Sequence, residues 1–292
     1  MMIRNIIIFC ILGIISACVT KVEKHDKKII SVSILPQKYF VEAIAGDKFV
    51  VNVMIPPGST PENYEPTAMQ MQDLSESSIY LRIGSIPFED IWMKSLIGSN
   101  PEMKVYDLSE GINMIKEVPH HEGEHSARVD PHIWSSVKNA KIITQNIFVV
   151  LSKEDPNNLS YYSENLQKFQ AMADSMDKVF QSKSELIKGS SFLIFHPALA
   201  YLARDYGLTQ LSLEFEGKTP PPGYMKDLID ISREKNIKAI LVQKQFNSEP
   251  AETIAKEIPA DLIIIDPLDE KWKNQIEHII QAIIDAAGTG NN

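Results

Sequence analysis

A stretch of about thirty residues near the middle of the chain, 157–188, contains neither proline nor glycine. Apolar residues recur along it at the spacing of one helix face, namely Leu166, Phe169, Met172, Met176, Val179, Phe180 and Leu186. At a rise of about 1.5 Å per residue, such a helix is roughly 45 Å long. A helix of this length could form a coiled coil, but a single apolar stripe better suits a spine against which two lobes pack.

Short β-rich runs alternate with helical segments on both sides of this long helix. Strands that alternate with helices form β-α-β units, whose strands run parallel in one sheet. The predicted strands cover residues 29–35, 49–55, 79–83, 104–107, 191–195, 210–215, 239–243 and 262–266. The sequence therefore predicts an α/β fold with two β/α lobes, each containing a parallel four-stranded sheet. We expect the lobes at 29–155 and 189–292, with the linking helix at 156–188.

The first eighteen residues have the features of a lipoprotein signal. Arg4 supplies the positive charge before an apolar run, 6–15, which is too short to cross a membrane comfortably. The run leads into the letters ISAC, ending at Cys18, which resemble the lipobox of bacterial lipoproteins; the alternative is an ordinary cleaved signal. We expect a signal peptide at 1–17, lipid on Cys18 and a flexible tether at 18–28. The protein would then be extracytoplasmic and anchored to a bacterial membrane, on its periplasmic side or at the cell surface.

Charge and cysteine content exclude several classes of protein. Acidic residues outnumber basic ones, 38 to 29, so the net charge is -9. Nucleic acid is not an expected partner, because its phosphates require clusters of lysine and arginine. The two cysteines are too few for a disulfide framework or a cysteine-rich zinc module.

Four potential metal ligands follow predicted strands. In parallel α/β sheets, ligands bind beyond the carboxyl ends of the strands. The residues in question are Glu62, His132, His196 and Asp266. Taken singly, each histidine could be a hydrogen-bonded structural residue, and an Asp-Pro pair is commonly a turn or helix cap. Together, two imidazoles and two carboxylates can fill the coordination sphere of a divalent transition metal.

The order of motifs along the chain resembles a known family. These are the lipobox, PPGSTPENYEP, DPHIW, HPALAYLARDYGL and a late DPL. They are similar to those of the metal-binding lipoproteins of ATP-binding-cassette importers for zinc and manganese. The resemblance covers nearly the whole mature chain. It implies a C-clamp-like, two-lobed receptor with a rigid linking helix, which is not an enzyme. It also implies that the protein delivers a metal to a membrane permease with its ATPase, and we expect a monomer.

The resemblance also implies the metal ligands. His132 falls on the histidine of the DPHIW motif, Asp266 on the late aspartate, and His196 on the ligand of the second lobe, which is histidine in zinc members and glutamate in manganese members. The chain departs from the family at Glu62, where histidine is usual; Glu62 could ligate or lie in the outer shell, and Glu65 is the nearby alternative. We expect Zn²⁺ as the metal, with Mn²⁺ or Fe²⁺ as alternatives.

A polar loop contains three further histidines, His120, His121 and His125, in the letters HHEGEH. Zinc members of the family often carry a mobile loop rich in histidine and acidic residues at this point. The loop is either a secondary, low-affinity capture site or a merely solvated segment. A metal-dependent surface hydrolase is the rival function for the chain, but the sequence contains neither His-Glu-x-x-His nor Gly-x-Ser-x-Gly.

Overall fold

The computed structural model describes residues 27–116, 129–215 and 220–288. Four of the sequence-based expectations fall outside these ranges. They are the signal peptide at 1–17, lipidation of Cys18, the tether at 18–28 apart from its last two residues, and secondary metal capture by His120, His121 and His125.

Two four-stranded parallel sheets are built from the described residues, which confirms the predicted fold class. The first sheet has the order β2-β1-β3-β4 and the second the order β6-β5-β7-β8. The strands are β1 (Ile29–Val32), β2 (Val50–Val53), β3 (Ser77–Arg82), β4 (Lys104–Asp107), β5 (Ser191–Ile194), β6 (Thr209–Ser212), β7 (Ala239–Gln243) and β8 (Asp261–Ile265). The chain places β2 on one side of β1 and then β3 on the other, and it does the same with β6 and β7 around β5. The order of strands therefore reverses at β1 and at β5, and ligands bind at such switch points.

Helices connect the strands and join the two lobes. They are α1 (Leu35–Ala45), α2 (Ala68–Ser75), α3 (Pro87–Ser99), α4 (Val137–Glu154), α5 (Leu159–Ser184), α6 (Ala200–Tyr206), α7 (Pro222–Glu234), α8 (Glu249–Glu257) and α9 (Trp272–Gly288). The long helix predicted between the lobes is α5, and a 3₁₀ turn precedes and follows it. In the described part of the chain, no helix is both long enough and apolar enough to span a bilayer.

The first strand ends earlier than its predicted range of 29–35. β1 ends at Val32, and Leu35 and Pro36 lie in the first turn of α1. Proline is tolerated there because the first amide groups of a helix have no carbonyl partner within the helix.

A continuous apolar core runs through both lobes. Phe40 of α1, Phe169 of α5 and Trp272 of α9 are all buried and form a cluster of rings whose centroids lie 5.0 to 6.2 Å apart. Two indole groups add polar links at the same place. Trp272 donates to the carbonyl of Trp134 at 2.6 Å, and Trp134 donates to the carbonyl of Pro267 at 3.0 Å. Burial of these large rings stabilises the packing of the two lobes against α5.

A buried carboxylate, Glu89, organises the turn between β3 and α3. It accepts hydrogen bonds from the amides of Ile83 and Gly84, both at 2.8 Å, and from the hydroxyl of Ser33. Burial raises the pKa of Glu89 above 4.5, although these hydrogen bonds and the charge of Arg82 act in the opposite direction. The turn that follows β3 is therefore held by a group whose ionisation is costly.

Candidate metal centre

His132 reaches the site from the segment that precedes α4. Its imidazole Nδ1 donates to Asp130 Oδ1 at 2.9 Å, and its backbone amide donates to the same oxygen at 2.8 Å. Both side chains are more than nine-tenths buried. Because Nδ1 carries the proton in this pair, Nε2 is left with a free lone pair.

His196 lies directly beyond the carboxyl end of β5. Its Nδ1 donates to Glu214 Oε2 at 2.5 Å, in the same arrangement as His132 with its aspartate. Gln243 holds the backbone of His196 through two hydrogen bonds, one in each direction, at 3.2 and 2.6 Å. The ring of Phe246 stacks on the imidazole, with centroids 5.3 Å apart. The ring is thus fixed with its Nε2 directed at the other histidine.

Glu62 comes from the turn that follows β2. Thr60 donates to the side chain of Asn63 at 3.1 Å across this turn. Gln70 of α2 ties down the segment on either side, because it donates to the carbonyl of Met54 at 2.6 Å and accepts from the hydroxyl of Tyr64 at 2.8 Å. The neighbouring acid, Glu65, is exposed, and it is not part of the group of ligand atoms formed by Glu62 and the two histidines.

Ligand atoms of three residues meet between the lobes. His196 Nε2 lies 3.1 Å from His132 Nε2 and 3.3 Å from Glu62 Oε1. One ligand atom from each of the three residues lies within 4.8 Å of the other two. A tetrahedral zinc ion about 2.0–2.1 Å from two ligands separates them by about 3.3 Å. The two distances from His196 Nε2 therefore match the separation of ligands on one tetrahedral zinc ion.

The electrostatics of the site favour a cation. Burial lowers the pKa of His196, but its hydrogen bond to Glu214 and the charges of Glu62, Glu214 and Asp130 outweigh burial, so the pKa is raised above 6.5. Two imidazole lone pairs that face each other at 3.1 Å repel unless a proton or a metal ion lies between them. In addition, Glu62 Oε2 is buried and has no hydrogen-bond partner. A divalent cation would satisfy the two nitrogens and this oxygen together.

The fourth candidate, Asp266, lies at the end of β8 but is not part of this group. Its Oδ1 accepts from the side-chain amide of Gln245 at 2.8 Å and from the backbone amide of Leu268 at 3.1 Å. Its Oδ2 lies 4.0 Å from the ammonium of Lys244. The structure thus brings together three of the four candidates and places the fourth beside them with partners of its own.

Asp130 and Glu214 are not among the residues predicted from the sequence, although each orients a histidine. Carboxylates that accept from the second nitrogen of a ligating imidazole fix its tautomer and raise its basicity. Glu214 lies two residues beyond β6, which pairs with β5, and Asp130 lies two residues before His132. The rule that directs attention to the ends of parallel strands would therefore have identified Glu214 as well.

Comparisons with known proteins identify a family for nearly the whole of the folded chain. The family model described as "Zinc-uptake complex component A periplasmic" matches residues 30–286. The high-affinity zinc uptake system protein ZnuA of Bacillus subtilis is 27% identical over 267 residues, covering 86% of this chain and 82% of its own. The manganese ABC transporter substrate-binding lipoprotein PsaA of Streptococcus mitis is 27% identical, with 79% and 77% covered. A crystal structure of ZnuA superposes with a TM-score of 0.84 at 35% identity, over 90% of this chain and 100% of that one.

Proposed function

The chain belongs to the family of periplasmic component A proteins of zinc-uptake complexes, and we propose on this basis that it captures zinc outside the cytoplasmic membrane. It then delivers the ion to the permease of an ATP-binding-cassette importer, whose ATPase drives uptake. The observation that carries the proposal is the meeting of His132 Nε2, His196 Nε2 and a Glu62 oxygen at distances of 3.1 and 3.3 Å.

Glu62, His132 and His196 are the proposed ligands of the transported ion. Imidazole nitrogen and carboxylate oxygen both bind zinc at about 2.0–2.2 Å. Asp130 and Glu214 hold the two imidazoles in the tautomer that leaves Nε2 unprotonated. Asp266, the fourth ligand expected from the sequence, is hydrogen-bonded to Gln245 and is not among these three proposed ligands.

Zinc is the proposed cargo rather than manganese or iron. For most sets of nitrogen and oxygen ligands, the affinity for zinc exceeds that for manganese and iron. His196 also favours zinc, because imidazole suits zinc better than the harder manganese ion. Glu62 acts in the opposite direction, since it replaces an imidazole with a carboxylate. A receptor for manganese, or for iron, is the alternative within the same family.

Metal-dependent hydrolysis, the rival function, requires a general base beside the metal-bound water as well as the metal ligands. Among the residues that the structure describes, Asp130 and Glu214 are already hydrogen-bonded to the imidazoles, and Asp266 to Gln245. Together with the membership of a family of transporter components, this favours binding and release without catalysis.

Attachment to the membrane completes the proposal. Lipid on Cys18 and the tether at 18–28 would keep the receptor close to the permease. We propose that the protein acts as a monomer, because its two lobes together supply the ligands. The capture of zinc by His120, His121 and His125, before transfer to the tight site, is proposed on sequence alone.

Growth of the bacterium under zinc limitation tests the proposed function. A strain without this chain should need added zinc to grow, and the wild-type chain should restore growth. Chains with His132→Ala or His196→Ala should fail to restore it although they accumulate to normal levels. Rescue of the deletion strain by added manganese instead of zinc would favour the alternative cargo.

A further inference from the structure

Asp266 precedes Pro267, which lines the cavity of the metal site, and its carboxylate is held by hydrogen bonds. Gln245 Nε2 donates to its Oδ1 at 2.8 Å, and the amide of Leu268 donates to the same oxygen at 3.1 Å. The other oxygen, Oδ2, lies 4.0 Å from Lys244 Nζ. Both oxygens of this carboxylate therefore interact with groups other than a metal.

The backbone next to Asp266 is anchored close to the ligands. The carbonyl of Pro267 accepts a hydrogen bond at 3.0 Å from the indole of Trp134. Trp134 lies two residues beyond His132 in the chain. Gln245 and Pro267 also line the same cavity as Glu62 and the two histidines. The chain next to this carboxylate thus borders the cavity of the metal site, and Gln245 is the side chain that donates to Asp266.

Building on the proposed function, we propose that Gln245 is a specificity-determining residue which holds Asp266 out of the coordination sphere. Zinc then has three protein ligands, Glu62, His132 and His196, and a solvent molecule in its fourth position. A tetrahedral zinc ion is satisfied by this set. Manganese is not, because it prefers octahedral surroundings rich in oxygen and needs the additional carboxylate.

The experiment measures zinc and manganese affinities by competition titration on four purified proteins. They are the wild type, Gln245→Leu, Asp266→Asn and the double variant. Gln170→Leu is the matched control, since Gln170 is also half-buried and donates a single hydrogen bond, to the carbonyl of Lys141 at 2.9 Å, away from the site. Thermal unfolding of each metal-free protein establishes that it folds.

Removal of the Gln245 amide should free Asp266 to bind metal. Gln245→Leu should bind manganese about tenfold more tightly than the wild type, and Asp266→Asn should abolish this gain in the double variant. Asp266→Asn alone should change the affinity of the wild type for zinc by less than about threefold, because the carboxylate is not a ligand there. X-ray absorption of the zinc-loaded wild type should count two imidazoles, one carboxylate and one further light ligand.

Two results would overturn the inference while leaving the proposed function intact. One is a loss of about a hundredfold or more in zinc affinity on Asp266→Asn, which would make Asp266 a direct ligand. The other is a manganese affinity of Gln245→Leu equal to that of Gln170→Leu. If Gln245→Leu does not fold, Gln245→Ala replaces it, and the Asp266→Asn measurement decides independently. Failure of the proposed function is a different result, namely a wild type that does not bind zinc tightly.

Discussion

His132 Nε2 and His196 Nε2 lie 3.1 Å apart, although 64 residues separate the two histidines in the chain. One precedes α4 and the other follows β5, so each belongs to a different lobe. Each imidazole is fixed by a carboxylate on its far nitrogen. The packing of the lobes against α5 therefore creates a site that neither lobe contains alone.

Loss of either histidine should remove most of the binding energy. We expect His132→Ala and His196→Ala each to weaken zinc binding by several orders of magnitude, because each removes one nitrogen ligand. The metal-free variants should unfold at nearly the wild-type temperature, since the apolar core of the lobes is unchanged. His278→Ala, at an exposed position on α9, is the control for loss of an imidazole. Zinc titrations of the two variants close to wild type would refute the ligand assignment.

Loss of the carboxylate that orients each histidine should also weaken zinc binding, but less than loss of the histidine itself. Asp130→Asn and Glu214→Gln should each lower zinc affinity by about 10- to 100-fold, because the imidazole loses its orientation and part of its basicity. The exposed Asp47→Asn should have no effect. The loss from Asp130→Asn should largely disappear in the His132→Ala background, as a double-mutant cycle of zinc affinities would measure. Equal losses in both backgrounds would contradict a role through the histidine.

Deletion of residues 120–125 should leave the tight site intact. The three residues whose ligand atoms meet, Glu62, His132 and His196, all lie outside this segment. We expect the deletion to lower the total zinc bound per chain or the rate of capture. Calorimetric titration with zinc separates the tight site from weaker ones. Disappearance of the tight site would show that one of the loop histidines is a primary ligand.

The contribution of Glu89 to the free energy of unfolding should decrease as the pH rises. Burial raises its pKa in the folded protein above the ordinary 4.5, so the folded state holds this proton more tightly than the unfolded state. This contribution is fully present below the unfolded pKa and is lost as pH rises through the folded pKa. The free energy of unfolding of the metal-free wild type, relative to Glu89→Gln, should therefore decrease between about pH 4 and the folded pKa.

Urea unfolding over this pH range measures that difference. The exposed Glu102→Gln should show no such dependence relative to the wild type. A difference between wild type and Glu89→Gln that grows with pH would mean that the hydrogen bonds from Ser33, Ile83 and Gly84 outweigh burial.

Local sequence patterns were sufficient to predict the two parallel sheets and the long helix between them. The alternation of strands and helices and the long segment without proline or glycine are properties of neighbouring residues, and the sheets and α5 agree with them. The strand orders β2-β1-β3-β4 and β6-β5-β7-β8 could not be derived in the same way, because they depend on which strands pair across the fold.

Only part of the metal site could be predicted from the sequence. The rule for strand ends identified the segments of Glu62, His132, His196 and Asp266, since parallel strands end at the same edge of a sheet. It could not show which side chains meet there. The orientation of Asp266 depends on Gln245, which lies 21 residues earlier in the chain.

Replacing the unusual ligand should sharpen selectivity for zinc. We expect Glu62→His to keep or raise zinc affinity while it widens the gap over manganese, because a third imidazole replaces an oxygen donor that manganese prefers. Competition titrations with both metals, on the wild type and on this variant, test the effect. Unchanged affinities for both metals would show that Glu62 is not a ligand.

The most direct test of the account is a zinc and manganese competition titration of the purified wild-type protein, with the bound metal counted by elemental analysis. The two histidines and one carboxylate predict one tightly held zinc ion at this site, bound about a hundredfold or more tightly than manganese. A protein that prefers manganese, or that binds no metal tightly, would contradict the assignment of this site to zinc capture.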